Sequence, residues 1–379
     1  MPQDEINALL VHYAKQGKNV CRLKGGDPFL FGRGGEEALY LFQNEVPFEI
    51  VPGVTSAIAV PAYAGIPITH RGVSPSVRII TGHEDPSKEA GSVDWNNIAD
   101  STSGTLVFLM ARRSVRSIAN RLVSGVWPSS TPVAVIANGT LPSQKTLIGT
   151  LADIAERVEN ELDDAPALMV VGSVVQLASE LRWFEKKPLL GKTLLVTRAQ
   201  KQASEMATRL EAYGAEVISC PTIQIQSMAD SDAMRSAIAE LSNMDWVVFT
   251  SVNGVEAFFE TLYTQNKDTR AFHHTRIAAI GPSTASRLQA YGIRADLTPT
   301  EFVAEALLEA MKNYGSLQDK RVLLPRSDLA RPALSEGLRE AGADVREVVA
   351  YKTSERADVS KELLETLQNE KVDLIVFTS

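Results

Sequence analysis

Three segments in the second half of the chain return in the same order at one fixed spacing, and this repeat limits the architecture more than anything else in the 379 residues. TLLVTRA at 193–199 recurs as RVLLPRS at 321–327, LEAYGAEV at 210–217 as LREAGADV at 338–345, and DWVVFTS at 245–251 as DLIVFTS at 373–379, each 128 positions on. Solenoid repeats run to roughly 20–50 residues, so a period of this length means whole domains rather than stacked units. The repeat predicts two similar α/β domains, each running strand, helix, strand and then a further strand ending in Phe-Thr-Ser.

The first half has the same alternation of helices and short apolar strands. Residues 4–16 read as an amphipathic helix with Ile6, Leu9, Leu10 and Tyr13 on one face, and residues 19–23 as the strand after it. Further strands are expected at 105–110, 133–137 and 167–171, with helices at 114–124 and 151–161. The polar stretch EKKPLLGK at 185–192, interrupted by Pro188 and Gly191, precedes a fresh strand at 193–197. It divides the chain into a domain of residues 1–187, a linker at 188–191 and a second domain of residues 192–379.

Composition narrows the function. Hydrophobic residues at 44% and charged residues at 22% are those of a soluble globular protein, and the length is too great for one core. A formal charge of −8 lacks the basic face that nucleic acid requires. No apolar run approaches the roughly 20 residues of a membrane span, and nothing after Met1 reads as a signal peptide, so the cytoplasm is the expected compartment. Cys21 and Cys220 are the only cysteines, which predicts two buried free thiols and neither a disulfide framework nor a metal site.

The segment KNVCRLKGGDPFLFGRGGEE at 18–37 is the leading site candidate. A strand is expected to run into a glycine-rich loop that carries one carboxylate and then opens a helix. Gly25 and Gly26 remove two Cβ atoms where backbone amides can approach a polar ligand, Asp27 can accept from hydroxyl or ammonium donors, and Pro28 stiffens the exit. From these residues alone, an ordinary strand-to-helix turn stands beside the ligand loop as a reading.

RLKGGDPFLFGRGG, followed by VPGVTSAIAVPAYAGIPITHRG at 51–72 and TGH at 81–83, resembles the uroporphyrinogen-III C-methyltransferases, a family of tetrapyrrole methylases, over roughly residues 1–187. The resemblance implies a two-lobed α/β enzyme with a lobe boundary near residue 52, a cleft for S-adenosyl-L-methionine and an acidic macrocycle, and homodimers. It implies that Gly25, Gly26, Asp27 and Leu30 contact the cofactor, that Thr55 and Ser56 touch its methionine portion, that Met110 packs on it and that Gly139 admits the adenine edge. Arg71 and His70 would face the macrocycle's carboxylates. Read without the family, Met110 is core packing at a strand end, Thr55 and Ser56 are a helix N-cap, and His70 is structural. Methyl transfer from a sulfonium to an electron-rich pyrrole carbon needs mainly alignment, which a backbone cradle supplies.

The repeat itself, with LLVTRAQKQASEMATRLEAYGAEV at 194–217, AAIGPSTASRLQAYGI at 278–293 and VVAYKT at 348–353, resembles uroporphyrinogen-III synthase over residues 190–379. That family needs no cofactor: it closes linear hydroxymethylbilane while inverting one pyrrole ring. Tyr351 is then the expected donor to the departing hydroxyl, against a reading as a half-buried tyrosine near an interdomain hinge. Thr250, Ser251 and Thr284 fall at strand-to-helix turns whose amides suit carboxylates but which are also common helix caps. Arg198 and Arg326 would pair with the substrate or with neighbouring carboxylates. Uroporphyrinogen III is the product of one family and the substrate of the other, so each half predicts its neighbour.

The expected function is therefore a bifunctional tetrapyrrole enzyme making uroporphyrinogen III and methylating it twice to precorrin-2, on the sirohaem and cobalamin branch. A two-lobed binder that does no chemistry, or an incomplete remnant of such a fusion, is the alternative. Both families extend past the matched ends. Residues 252–319 have no counterpart 128 positions on, and the methylase family's first glycine-rich loop, acidic residue and lysine fall before the helix near Asp4. The expectation is that both domains continue beyond this sequence.

Overall fold

The computed structural model describes residues 1–82, 93–99, 102–197, 200–355, 363–365, 367–368 and 372–377. Two compact units divide it: Met1–Leu194 with Thr208–Val217, and Leu195–Ala207 with Ile218–Ser379.

The first unit opens with α1 (Gln3–Lys15), α2 (Gly34–Gln43) and α3 (Ser56–Tyr63) and continues through β1 (Val77–Thr81), α4 (Trp95–Ala99), β2 (Thr105–Leu109), α5 (Val115–Ser124), β3 (Pro132–Ala137), β4 (Lys145–Thr150), α6 (Ile154–Glu161), β5 (Ala167–Val171) and α7 (Ala178–Leu181). Its sheet has the order β1-β2-β5-β3-β4, with β1 parallel to β2 and β5 antiparallel to both its neighbours. The three central strands are buried on both faces, and their alternation sorts the core into two layers. Leu106, Phe108, Val133, Val135 and Met169 face α5 and α6, while Val107, Leu109, Ala134, Ile136 and Val170 face α3. Each such side chain removed from water contributes on the order of 1.5–3 kcal/mol before chain entropy is subtracted.

The strands expected at 105–110, 133–137 and 167–171, and the helices at 114–124 and 151–161, coincide with β2, β3, β5, α5 and α6. The strand expected at 19–23 does not form. Among the described residues no strand lies beside this segment, and Val20 and Leu23 are exposed. A ladder needs a partner, which residue preference cannot supply. The apolar face read on α1 is present, yet the helix buries Asn7, Leu10 and Val11. Ile6, Leu9 and Tyr13 instead line an open groove with Met1, Val20 and Arg22. Cys220 is buried as expected, whereas Cys21, on that unpaired segment, is exposed.

The second half of the chain carries β6 (Thr193–Val196), α8 (Gln200–Ala212), β7 (Glu216–Ser219), β8 (Ile223–Ser227), α9 (Asp232–Ala239), β9 (Trp246–Phe249), α10 (Val252–Thr264), β10 (Arg276–Ala279), α11 (Pro282–Ala290), α12 (Ala304–Tyr314), β11 (Arg321–Ser327), α13 (Ala333–Glu340), β12 (Asp344–Glu355) and β13 (Leu374–Val376). One sheet has the order β10-β9-β11-β12-β8, parallel except for β8 at its edge; β13, β6 and β7 make a smaller one. The recurring segments fall on corresponding elements: β6 and β11, the α8–β7 and α13–β12 turns, and β9 and β13. At both turns the shared glycine has a left-handed backbone, Gly214 at φ +97° and Gly342 at φ +87°, as the end of a helix entering a strand requires. Among the described residues no helix is long and apolar enough to cross a membrane.

Candidate functional site

The glycine-rich loop of the first unit is shaped by its own carboxylate. Gly26 turns the chain at φ +72°, and Asp27 then accepts two backbone hydrogen bonds, from Phe29 N at 2.9 Å and from Gly53 N at 3.1 Å. The Asp27 side chain thereby ties its loop to the segment that enters α3. The donors at Gly53 and Phe29 hold its carboxyl below the ordinary aspartate value. The two segments approach so closely at Gly53 that a Cβ there would sit 2.2 Å from the Gly26 carbonyl oxygen. At Gly25 the opposite holds: a Cβ would meet nothing within 4 Å, so the loop presents bare backbone to open space.

Behind the loop lies a charged anchor. Glu37, in the first turns of α2, is 5% exposed and accepts from Lys24 Nζ at 2.8 Å, Gln3 Nε2 at 3.0 Å and Arg22 Nε at 3.2 Å. Burial alone would push its carboxyl up, but the bonds from Lys24, Gln3 and Arg22 bring it below the ordinary value.

Helix α3 carries the loop's partner segment to the sheet. Thr55 is its N-cap, its hydroxyl accepting from Ala57 N, while Ser56 is the exposed first helical residue. Leu30 from the loop and Ala57 and Val60 from α3 pack in one cluster with Leu109 and Ile136. Met110 and Asn138 follow directly at the carboxyl ends of β2 and β3, the end of an open α/β sheet where ligands bind. Both are left-handed, at φ +56° and φ +50°, and Thr140 follows at φ +73°. Such backbone strain in non-glycine residues concentrates at functional sites. Met110 is 55% exposed, which overturns the reading of it as core packing. Gly139 is required by the fold, since a Cβ there would fall 2.3 Å from Val60 Cγ1.

The structure thus gathers Gly25, Gly26, Asp27, Leu30, Thr55 and Ser56 around the start of α3, and α3 links them to Met110 and Gly139. Arg71 is exposed on a turn in which the His70 and Ser74 backbones bond each other. Sequence reasoning missed Gly53, Glu37 and the left-handed Asn138. The Asn-Gly pair at 138–139 was a turn signal; nothing local marks Gly53 as facing Gly26.

In the second unit, Thr250 and Ser251 follow β9, and the Ser251 hydroxyl caps α10 by accepting from Gly254 N at 3.0 Å. Thr284 is buried in the first turn of α11, after β10. Tyr351 lies within β12, paired in register with Ser327 at the end of β11 on one side and with Ser227 of β8 on the other. It is 9% exposed, with its ring in the core cluster beside α10, and so is more buried than the half-buried hinge residue expected. Arg326 is committed within the chain: it donates to Glu347, to the carbonyls of Ala330 and Arg331, and to Ser335. Arg198, and His83 of the TGH segment, lie outside the described residues.

Comparison with known proteins assigns both halves. The family model for Tetrapyrrole (Corrin/Porphyrin) Methylases matches residues 1–155, and that for Uroporphyrinogen-III synthase HemD matches residues 204–379. The chain is 34% identical over its whole length to the "Porphyrin biosynthesis protein HemD" of Ruminiclostridium josui, covering 74% of it. Over 47% of the chain it is 54% identical to the "S-adenosyl-L-methionine-dependent uroporphyrinogen III methyltransferase" of Methanosarcina barkeri, covering 69% of that protein. Over 71% of the chain it is 39% identical to the "Uroporphyrinogen-III C-methyltransferase" of Bacillus subtilis, of which it spans 55%. With the glycine loop and strand ends of its first unit and the repeated α/β pattern of its second, the chain belongs to the fused enzymes of tetrapyrrole biosynthesis, tetrapyrrole methylase in its first half and uroporphyrinogen-III synthase in its second.

Proposed function

We propose that this chain joins two consecutive steps: the second half closes hydroxymethylbilane to uroporphyrinogen III, and the first methylates that product at two pyrrole carbons with S-adenosyl-L-methionine to give precorrin-2. The observation that carries the reading is the bare backbone at Gly25 and Gly26, latched by Asp27 to Gly53 at the mouth of α3. The residues fit the cofactor. Gly25 and Gly26 would admit it to their backbone, Thr55 and Ser56 would receive its methionine end, and the exposed Met110 would pack against it. Asp27 contributes through the latch, because two of its acceptor sites already serve backbone amides. The sulfonium of the cofactor supplies the methyl group, and the protein's part is alignment. For the synthase, the carboxyl ends of β9, β10 and β11, with Ser251, Thr284 and Ser327, are the surface read as meeting substrate carboxylates, and Tyr351 is read as the proton donor. The family's homodimer is read onto the first unit, where Leu39 and Phe42 of α2 are exposed; sedimentation of the first unit's parent chain checks it.

The test is incubation with uroporphyrinogen III and S-adenosyl-L-methionine, and separately with hydroxymethylbilane, with mass detection of products. Transfer of two methyl groups and formation of the type III ring are expected. Tight cofactor binding without any methyl transfer would leave a binder that does no chemistry. Gly25→Val puts its Cβ where no protein atom beyond its chain neighbours lies within 4 Å. It should keep the parent's melting midpoint while weakening cofactor binding on the order of 10–100-fold, since a filled cradle excludes the ligand.

A further inference from the structure

Several ion pairs of the first unit sit in solvent: Arg33–Glu36, Arg113–Asp164 and Arg116–Glu159 all have both partners more than half exposed. Lys24–Glu37 does not, with side chains 13% and 6% exposed. A lysine drawn this far out of water is costly, and an apolar pair of equal volume would stabilise the fold at least as well. Its place in the sequence is informative: Lys24 immediately precedes Gly25. Asp27, three residues on, is bound to Gly53. Residues 24–27 are therefore tethered by a carboxylate contact at each end, and the two glycines between carry no side chain to hold them.

We propose that Glu37 is a positioning residue for the methyl-donor site: fixed against α1 through Gln3, its carboxylate holds Lys24 and thereby sets the Gly25–Gly26 backbone opposite residues 53–55. The proposal rests on the reading of this loop as the S-adenosyl-L-methionine cradle. Glu37 itself touches neither the loop glycines nor, on this reading, the cofactor. It acts on a stretch that would otherwise sample many conformations, because glycine has the most backbone freedom to lose. An ordered cradle spares that loss at the moment of binding.

The experiment uses the full 379-residue chain as parent, with Glu37→Gln, Lys24→Met and the double variant. Amide hydrogen exchange of residues 25–29 is read without ligand, and S-adenosyl-L-methionine affinity is read by titration. Each single variant should speed exchange at these amides and weaken affinity about tenfold, and the double variant should be no worse than either alone, since one coupled contact is lost only once. Lys24→Met keeps the Arg22 and Gln3 contacts of Glu37 and serves if Glu37→Gln fails to fold. A pair that merely supports the fold would lower the melting midpoint while leaving exchange at 25–29 and affinity at parental values, and that result overturns the proposal. If the parent binds no S-adenosyl-L-methionine, the cradle reading falls and the positioning role with it, while faster exchange in the variants would still show that Glu37 orders the loop.

Discussion

At Gly53 a single hydrogen atom in place of a methyl group decides whether two loops can meet. A Cβ there would press on backbone, the Gly26 carbonyl, which cannot rotate aside as a side chain can. Gly53→Ala should therefore cost about 1–3 kcal/mol, the usual range for overpacking, seen as a lower urea midpoint with unchanged slope. A parental midpoint would mean that the loops part without penalty. Asp27, held below its ordinary value of 3.8, adds a pH dependence to the same junction. A carboxylate with a depressed folded value contributes stability that is complete above its unfolded value and disappears as pH falls through the folded one. The difference between parent and Asp27→Asn should accordingly be full at neutral pH and shrink below the ordinary value; a difference constant down to pH 2 would refute the latch. Neither residue's role was legible in the sequence. GGDP read as a strand-to-helix turn and Thr55–Ser56 as a helix N-cap, but that the carboxylate of the first segment accepts from the Gly53 amide ahead of the second is a contact across 26 residues. The backbone of Met110 was hidden for another reason: a bulky residue rarely adopts φ +56°, so no residue preference announces that geometry.

Among elements, those buried on both faces were the easiest to read. TLVFL in β2, PVAVIA in β3 and ALMVV in β5 are apolar runs because helices cover both sides of the sheet, and such runs are strong signals. Residues 19–23, NVCRL, mix apolar residues with Asn19 and Arg22, and no described strand lies beside them, so the ladder that defines a strand is missing. The repeat was read more deeply than any single element because it carried its own check. Gly214 and Gly342, 128 residues apart, both have positive φ at equivalent helix-to-strand turns. Alanine at either should cost about 1 kcal/mol through the left-handed backbone alone. At both positions a new Cβ would also press on backbone, Leu190 N at 3.1 Å from Gly214 and Gln318 Cα at 3.2 Å from Gly342, and at Gly342 the Gln318 side-chain oxygen would have to move as well. Thermal melts of the two variants should therefore show comparable losses at both positions. A loss at one position alone would trace the cost to local packing, and no loss at either would remove the geometric basis of the repeat.

For the whole molecule, two chemistries on one chain should respond to separate single changes. Tyr351→Phe deletes one phenolic oxygen and keeps the ring that packs in the core cluster of the second unit. A volume-conserving change of this kind costs under about 1.5 kcal/mol, so the variant should remain folded. If the phenol gives a proton to the departing hydroxyl, ring closure of hydroxymethylbilane should slow about 100-fold or more, the lower end of what positioned acid catalysis supplies. Methylation of added uroporphyrinogen III should proceed at the parental rate. Gly25→Val should give the mirror image, with methyl transfer lost and ring closure intact. The two assays together separate Tyr351's possible roles, because a purely packing tyrosine would leave both rates unchanged in the phenylalanine variant. Its exposure of only 9% makes this the demanding case, because a substrate has to reach a phenol that belongs to a core cluster. Ring closure that is fast in Tyr351→Phe would move the acid to another group at the carboxyl ends of β9, β10 or β11 and leave the methylase reading untouched.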